Sequence, residues 1–252
     1  MALLDGRAAL VTGAGSGIGE AIALAFAREG AQLFLADISA ERLEKIMQSV
    51  RASGVEAAGC TVDVAKDASV RAMVAAAEQR FGRINVVCNN AGILDRLMPV
   101  HDTTDEMWER VIGVNLTGAF YVCRAVLPGM LERGSGNIIN THSISSFLGG
   151  RGGAAYTVSK HGILGLTRAI AATYGERGIR CNGIAPGSVQ TNISTGDDWH
   201  EMGRALREKG LATRPPRAVP DEIAPVAVFL ASDMSHYING ANIVADAGWT
   251  AY

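Results

Sequence analysis

Lysine is scarce in this chain, at four residues in 252, and neither sign of charge dominates: the formal net charge is −2. Without a basic excess there is no electrostatic case for a nucleic-acid partner or for an anionic membrane surface. Cysteine is equally sparse. The four, at 60, 88, 123 and 181, include no CxxC pair, which argues against a disulfide framework and for a reducing, cytoplasmic setting. The five histidines form no HExxH or other paired-ligand spacing, so no metal site is expected. No window of 18 apolar residues is free of charge, and the first ten residues contain Asp5 and run straight into a motif. Neither a membrane span nor a signal peptide is expected. A Pro/Ser-rich linker is missing too, so residues 1–252 read as one domain.

What the chain does have is apolar material, 48% of its residues, in alternating strand-like and helix-like segments. AALVT (8–12), QLFLAD (32–37), AAGCTVD (57–63), INVVCNNAG (84–92), GNIINTHS (136–143), IRCNGIAPG (179–187) and ANIVADAG (241–248) read as seven strands. Between them lie helical patterns, among them 17–30 closing at Gly30, one capped by Ser39, 67–81, about 116–132 and 154–177. Thr103 with Glu106 reads as a capping box. Such alternation implies βαβ units, hence a doubly wound α/β fold with helices on both faces of a parallel sheet. One stretch is irregular. Residues 188–220 carry Gly196, Trp199 and three prolines, and a loop that long in a compact domain reads as a substrate lid.

TGAGSGIG (12–19) joins the first strand to the first helix. Its glycines, Gly13, Gly17 and Gly19, allow close approach of a pyrophosphate to a helix N-terminus, with Ser16 and Ile18 between them. The spacing differs from the usual GxGxxG. Asp37 ends the second strand, where a carboxylate accepts from an adenosine ribose and repels a 2′-phosphate. No cation stands at Ser16 or Ile38, so the pattern favours NAD over NADP.

AYTVSKHG (155–162) places Tyr156 and Lys160 one helical turn apart. Five tyrosines and four lysines produce YxxxK by chance in about one such chain in twelve, so the pair alone is weak. Taken in order with TGAGSGIG, Asp63-Val64, NNAG (89–92), Asn115 in VNLTG, Ser143, Pro186-Gly187 and Thr191, it makes the chain resemble the short-chain dehydrogenase/reductase family over its full length. Departures are His142 before the serine and ADAG near the C-terminus.

The resemblance implies a seven-stranded Rossmann-type sheet and reversible hydride transfer between nicotinamide and an alcohol or carbonyl. It implies a catalytic tetrad of Asn115, Ser143, Tyr156 and Lys160, with Asn115 anchoring a water. It further implies cofactor contacts from Asp63, Val64, Asn90, Ala91, Gly92, Pro186, Gly187, Val189 and Thr191. The chemistry is coherent. A free phenol titrates near about 10, and a neighbouring ammonium lowers it toward working pH. A serine hydroxyl stabilises the developing oxyanion. Leu94, Ser145, Arg151 and Trp199 are the candidate substrate contacts, while His101, His142 and His161 read as packing or surface residues. Gly162 and Gly165, with neighbouring alanines, suggest a close helix approach. The resemblance makes this a homotetramer through the 116–132 and 154–177 helices. The leading expectation is an NAD-dependent alcohol, polyol or sugar dehydrogenase. Two alternatives stay open: a 3-oxoacyl-thioester reductase, for which the cations at 204, 207, 209, 214 and 217 suit an acyl carrier, and a non-catalytic NAD-binding regulator.

Overall fold

In the computed structural model, which describes residues 2–194 and 198–251, every expected strand forms. Gly196 lies outside the described residues. The strands β1 (Ala8–Thr12), β2 (Gln32–Asp37), β3 (Ala57–Thr61), β4 (Val86–Asn89), β5 (Gly136–Thr141), β6 (Ile179–Pro186) and β7 (Asn242–Ala245) make one sheet. Its order is β3-β2-β1-β4-β5-β6-β7 and every pair is parallel. Eight α-helices accompany it among the described residues: α1 (Gly17–Arg28), α2 (Ala40–Ala52), α3 (Asp67–Phe81), α4 (Asp105–Ile112), α5 (Gly118–Arg133), α6 (Ala154–Tyr174), α7 (Glu201–Lys209) and α8 (Ala224–Ala231).

The apolar runs of the central strands follow from burial on both faces. Ala9 and Val11 of β1 pack with Ile22 and Phe26 of α1 and Leu230 of α8. Leu10, between them, points the other way into Met73 of α3, Val126 of α5 and Ile170 of α6. The order reverses at β1 and β4, so their C-terminal ends splay into a crevice, the usual place for a ligand in an open α/β sheet.

Three local expectations change. Thr104, rather than Thr103, caps α4 by accepting from the Met107 amide at 3.1 Å, while the Thr103 hydroxyl donates to Pro99 O at 2.8 Å. Gly162 serves packing inside the chain, because a Cβ there would come within 2.6 Å of Leu116, whereas Gly165 faces open space. The third concerns the continuous helical run Asp105–Arg133, which is long and apolar enough by length and composition to cross a membrane. Its apolarity has another use: Val111, Val122, Val126 and Met130 are buried in the core. The four cysteines are free thiols: Cys88, Cys123 and Cys181 are buried, and Cys60 is half-buried.

Candidate active site

The crevice is a cleft of about 580 Å³. At its β1 edge, Gly13 and Gly17 take left-handed φ of +63° and +59°. A Cβ on Gly13 would meet Ala91 Cα at 2.8 Å. One on Gly19 would strike the Gly13 carbonyl, so that glycine serves helix–strand packing and does not line the cleft. Asn90 secures the turn from β4, donating to Thr12 O and Gly13 O at 3.3 and 3.2 Å. Ser16 caps α1 by position but offers its first turn no side-chain acceptor, leaving a helix N-terminus suited to a phosphate.

Asp37 is 4% exposed. Its Oδ2 accepts from Gly15 N at 2.9 Å, and its Oδ1 from Ser39 N at 2.9 Å and Arg42 Nη2 at 3.0 Å. Arg42 is the cation that inspection of positions 16 and 38 missed; the first turn of α2 carries it back over the carboxylate. Ile38, Asp63, Val64, Ala91, Gly92, Pro186, Gly187, Val189 and Thr191 also line the cleft. These surfaces fit an adenosine ribose and pyrophosphate: a carboxylate with lone pairs to spare, a glycine turn that any Cβ would fill, and an open helix end.

Farther along, Ser143, Tyr156 and Lys160 share the cleft wall. Ser143 follows β5 and caps a short turn, its Oγ accepting from Ser145 N at 3.1 Å. Its hydroxyl stands close enough to the Tyr156 phenol to favour the charged form of that group. Lys160 Nζ lies 5.7 Å from the Tyr156 ring centroid and donates to Thr141 O at 2.7 Å. Burial pushes Lys160 down to about 8. Burial also raises the Tyr156 phenol above its ordinary value; the Ser143 hydroxyl opposes this and the Asp95 charge adds to it. The expected lowering of the phenol is therefore not a property of the protein groups alone, because desolvation of a phenolate outweighs them.

Asn115 sits in a π-helical turn, Gly113–Thr117, a local widening common at functional sites. Its Oδ1 accepts from Ile93 N at 2.8 Å, and its Nδ2 donates to Ile93 O at 2.9 Å and Ser159 Oγ at 3.1 Å. Both amide protons are thus committed to protein, and the side chain has no donor left for a water.

Asp95 is fully buried and was not singled out from sequence. It accepts from Gly153 N at 2.9 Å and Tyr156 N at 2.8 Å, capping α6 from 61 residues away. The residues that follow it, Arg96 and Leu97, both have positive φ, backbone strain of the kind that clusters at functional sites. His142 is structural, as expected. Its ring contacts Asn242 Oδ1 at 2.7 Å and Thr167 Oγ1 at 2.8 Å, tying β5 to β7 and α6.

Of the four candidate substrate contacts, Leu94 and Arg151 line the cleft. Ser145 does not: it is buried within the turn that Ser143 caps. Trp199 lies behind the wall, its ring 4.3 Å from the Arg207 guanidinium. Arg207 and Trp249 are lining residues that sequence reading did not assign to the pocket.

Comparison with known proteins agrees with this architecture. A family model described as enoyl-(acyl carrier protein) reductase matches residues 13–250. The chain is 42% identical to 3beta-hydroxysteroid dehydrogenase 2 of Eggerthella lenta, over 99% of this chain and 97% of that one. It is 41% identical to D-threitol dehydrogenase of Mycolicibacterium smegmatis, over 98% and 94%. The crystal structure of levodione reductase superposes with a TM-score of 0.91 at 37% identity, covering 99% of this chain and all of the other. A solved structure from Beutenbergia cavernae, with a TM-score of 0.89 at 35% identity over 99% and 98% of the two chains, carries NADP at low occupancy. The chain belongs to the short-chain dehydrogenase/reductase family, the nicotinamide-dependent oxidoreductases that act on CH–OH groups.

Proposed function

We propose that the protein is an NAD-dependent dehydrogenase of a small to medium secondary alcohol, with Tyr156 as the proton-transferring group. The observation that carries this reading is the placement of Ser143, Tyr156 and Lys160 on one wall of the cleft that also holds the glycine turn and Asp37. When bound, the oxidised nicotinamide supplies the hydride acceptor and a positive charge. Tyr156 Oη takes the hydroxyl proton in oxidation and returns it in reduction. Ser143 Oγ donates to the substrate oxygen and holds it against Tyr156. Lys160 would hold the ribose of the bound cofactor with its ammonium and favour the phenolate. Asn115 positions Ile93 at the cleft wall, and any water it anchors must donate to it, since both of its amide protons are spent.

Asp37 supports NAD as the preferred cofactor, since its carboxylate neutralises Arg42 and repels a 2′-phosphate. The stretch 188–220, with α7 inside it, is the lid. Half-exposed Trp108, Phe120 and Val158 on α4, α5 and α6 support a homotetramer assembled on these helices. The free thiols support a reducing, cytoplasmic location.

The test is a panel of secondary alcohols, polyols, sugars and 3-hydroxyacyl thioesters with NAD and with NADP, read at the absorbance of the reduced cofactor. The reading expects oxidation of free alcohols with NAD. Turnover confined to thioesters with NADP contradicts it and favours the acyl-thioester reductase.

A further inference from the structure

The cleft is electrically lopsided. Among the described residues its acidic lining is Asp37 and Asp63, at the ends of β2 and β3, where Arg42 is paired to Asp37, while Arg110, Arg151, Lys160, Arg207 and Arg217 line the part that lies beyond β4. Two of these arginines have an arrangement that lid cations in solvent would not need. The Arg207 guanidinium stacks 4.3 Å from the Trp199 ring, and that of Arg151 stacks 4.4 Å from the Trp249 ring. Both side chains are half-buried, and neither has a carboxylate within 4.0 Å among the described residues. Burial first, and then the charges of Arg214 and Arg217, hold the Arg207 guanidinium below its ordinary value. A guanidinium held in a partly desolvated wall, as on Arg207, disfavours the folded chain unless an anion joins it.

Stacking also selects what such an anion looks like. An indole covering one face of a guanidinium leaves its in-plane N–H fork free, the geometry that grips a planar oxyanion through two parallel hydrogen bonds. On Arg151 one donor is already used: Nη1 bonds Gly210 O at 3.0 Å, and Trp249 Nε1 reaches the same carbonyl at 3.2 Å. That carbonyl ends α7, so Arg151 is fixed in place by the element that carries Arg207.

We propose that Arg207 and Arg151 form an anion subsite at the far end of the substrate cleft, and that the substrate is a secondary alcohol bearing a carboxylate. The proposal rests on the reading that the carbinol is oxidised at Tyr156. The cofactor pyrophosphate is the competing anion, and matched substrates separate the two.

The experiment uses hydroxy acids of graded length, from 3-hydroxybutanoate to 11-hydroxydodecanoate, each beside its primary amide. At the best length, kcat/KM for the acid exceeds that for the amide by at least about tenfold, the worth of one charge-assisted hydrogen bond. Arg207→Gln and Arg151→Lys, the latter keeping charge but losing the fork, remove that preference by raising KM for the acid. Kd for NAD stays within about twofold of wild type. Equal turnover of acid and amide by wild type overturns the proposal, and so does a weakening of NAD that affects both substrates alike. A second readout needs no turnover. Saturable quenching of tryptophan fluorescence by the acids, lost in Arg207→Gln, supports the subsite, and its absence in wild type overturns it. If the acids bind in this way but no alcohol is oxidised, the catalytic reading fails and the subsite stands.

Discussion

Asp37 and Arg42 show how much one residue's meaning depends on its neighbour. The carboxylate is read as an acceptor for ribose, yet it also occupies the guanidinium that would otherwise welcome a phosphate. Asp37→Ala should therefore do more than lose a ribose contact. With Arg42 released, the ratio of kcat/KM for NAD over NADP should fall by at least about tenfold, a change of about 1.4 kcal/mol; an unchanged ratio removes Asp37 from the discriminating role. His142 makes a second residue-scale case. Burial holds its ring down to about 4, in a neutral form hydrogen-bonded to Asn242 and Thr167. The unfolded chain takes up this proton near 6.5 and the folded chain near 4. Stability from this group is thus complete above about pH 6.5 and is lost as pH falls toward 4, by up to about 3 kcal/mol. His142→Asn should flatten the acid limb of the stability profile in urea titrations, and parallel limbs for variant and wild type would contradict the assignment. The glycine turn, Asp37 and the Tyr156–Lys160 pair were legible in sequence because short spacings define them. Arg42 is five residues from Asp37 and equally local, but only a helix turning back over the strand end makes it a neighbour.

At the scale of elements, α6 is the part that presents the chemistry, and its start is fixed from elsewhere. Asp95 accepts the N–H groups of Gly153 and Tyr156, and the Ala154 amide bonds Met98 O at 2.9 Å. A helix whose own N-cap is a glycine without a side-chain cap borrows one from the β4–α4 connection. Asp95→Asn replaces an acceptor with a donor facing amide protons, and should cost about 1–3 kcal/mol. It should also lower kcat at saturating cofactor with little change in NAD affinity, because the misplaced group is Tyr156. A urea midpoint and kcat both equal to wild type would show that the cap is dispensable. No spacing rule reveals this contact, since the partners lie about 60 residues apart and meet through the fold. The strands and most helices, by contrast, were legible to within a few residues. Their periodicity and caps are local, and α4 shifted its cap from Thr103 to Thr104 by a single position. Likewise, Gly162 looks from sequence like an intersubunit contact, but Leu116 of the same chain fills the space.

Across the whole molecule, the reversal of strand order at β1 and β4 collects distant loops into one cleft, with Asp37, Asp63 and the paired Arg42 at one end and Arg151, Arg207 and Arg217 at the other. The exposed aromatic and aliphatic side chains on α4, α5 and α6 lie on the outside of this unit, where the proposed tetramer would cover them. Sedimentation at micromolar concentration should report a tetramer, and a monomer would refute the assembly. The central claim is narrower: Tyr156 moves the proton while the rest of the cleft holds the reactants. Its most direct measurement is the turnover of Tyr156→Phe beside its affinity for NAD. The account predicts turnover at least about 10²-fold below wild type with a Kd for NAD nearly unchanged. Wild-type turnover in that variant would contradict it.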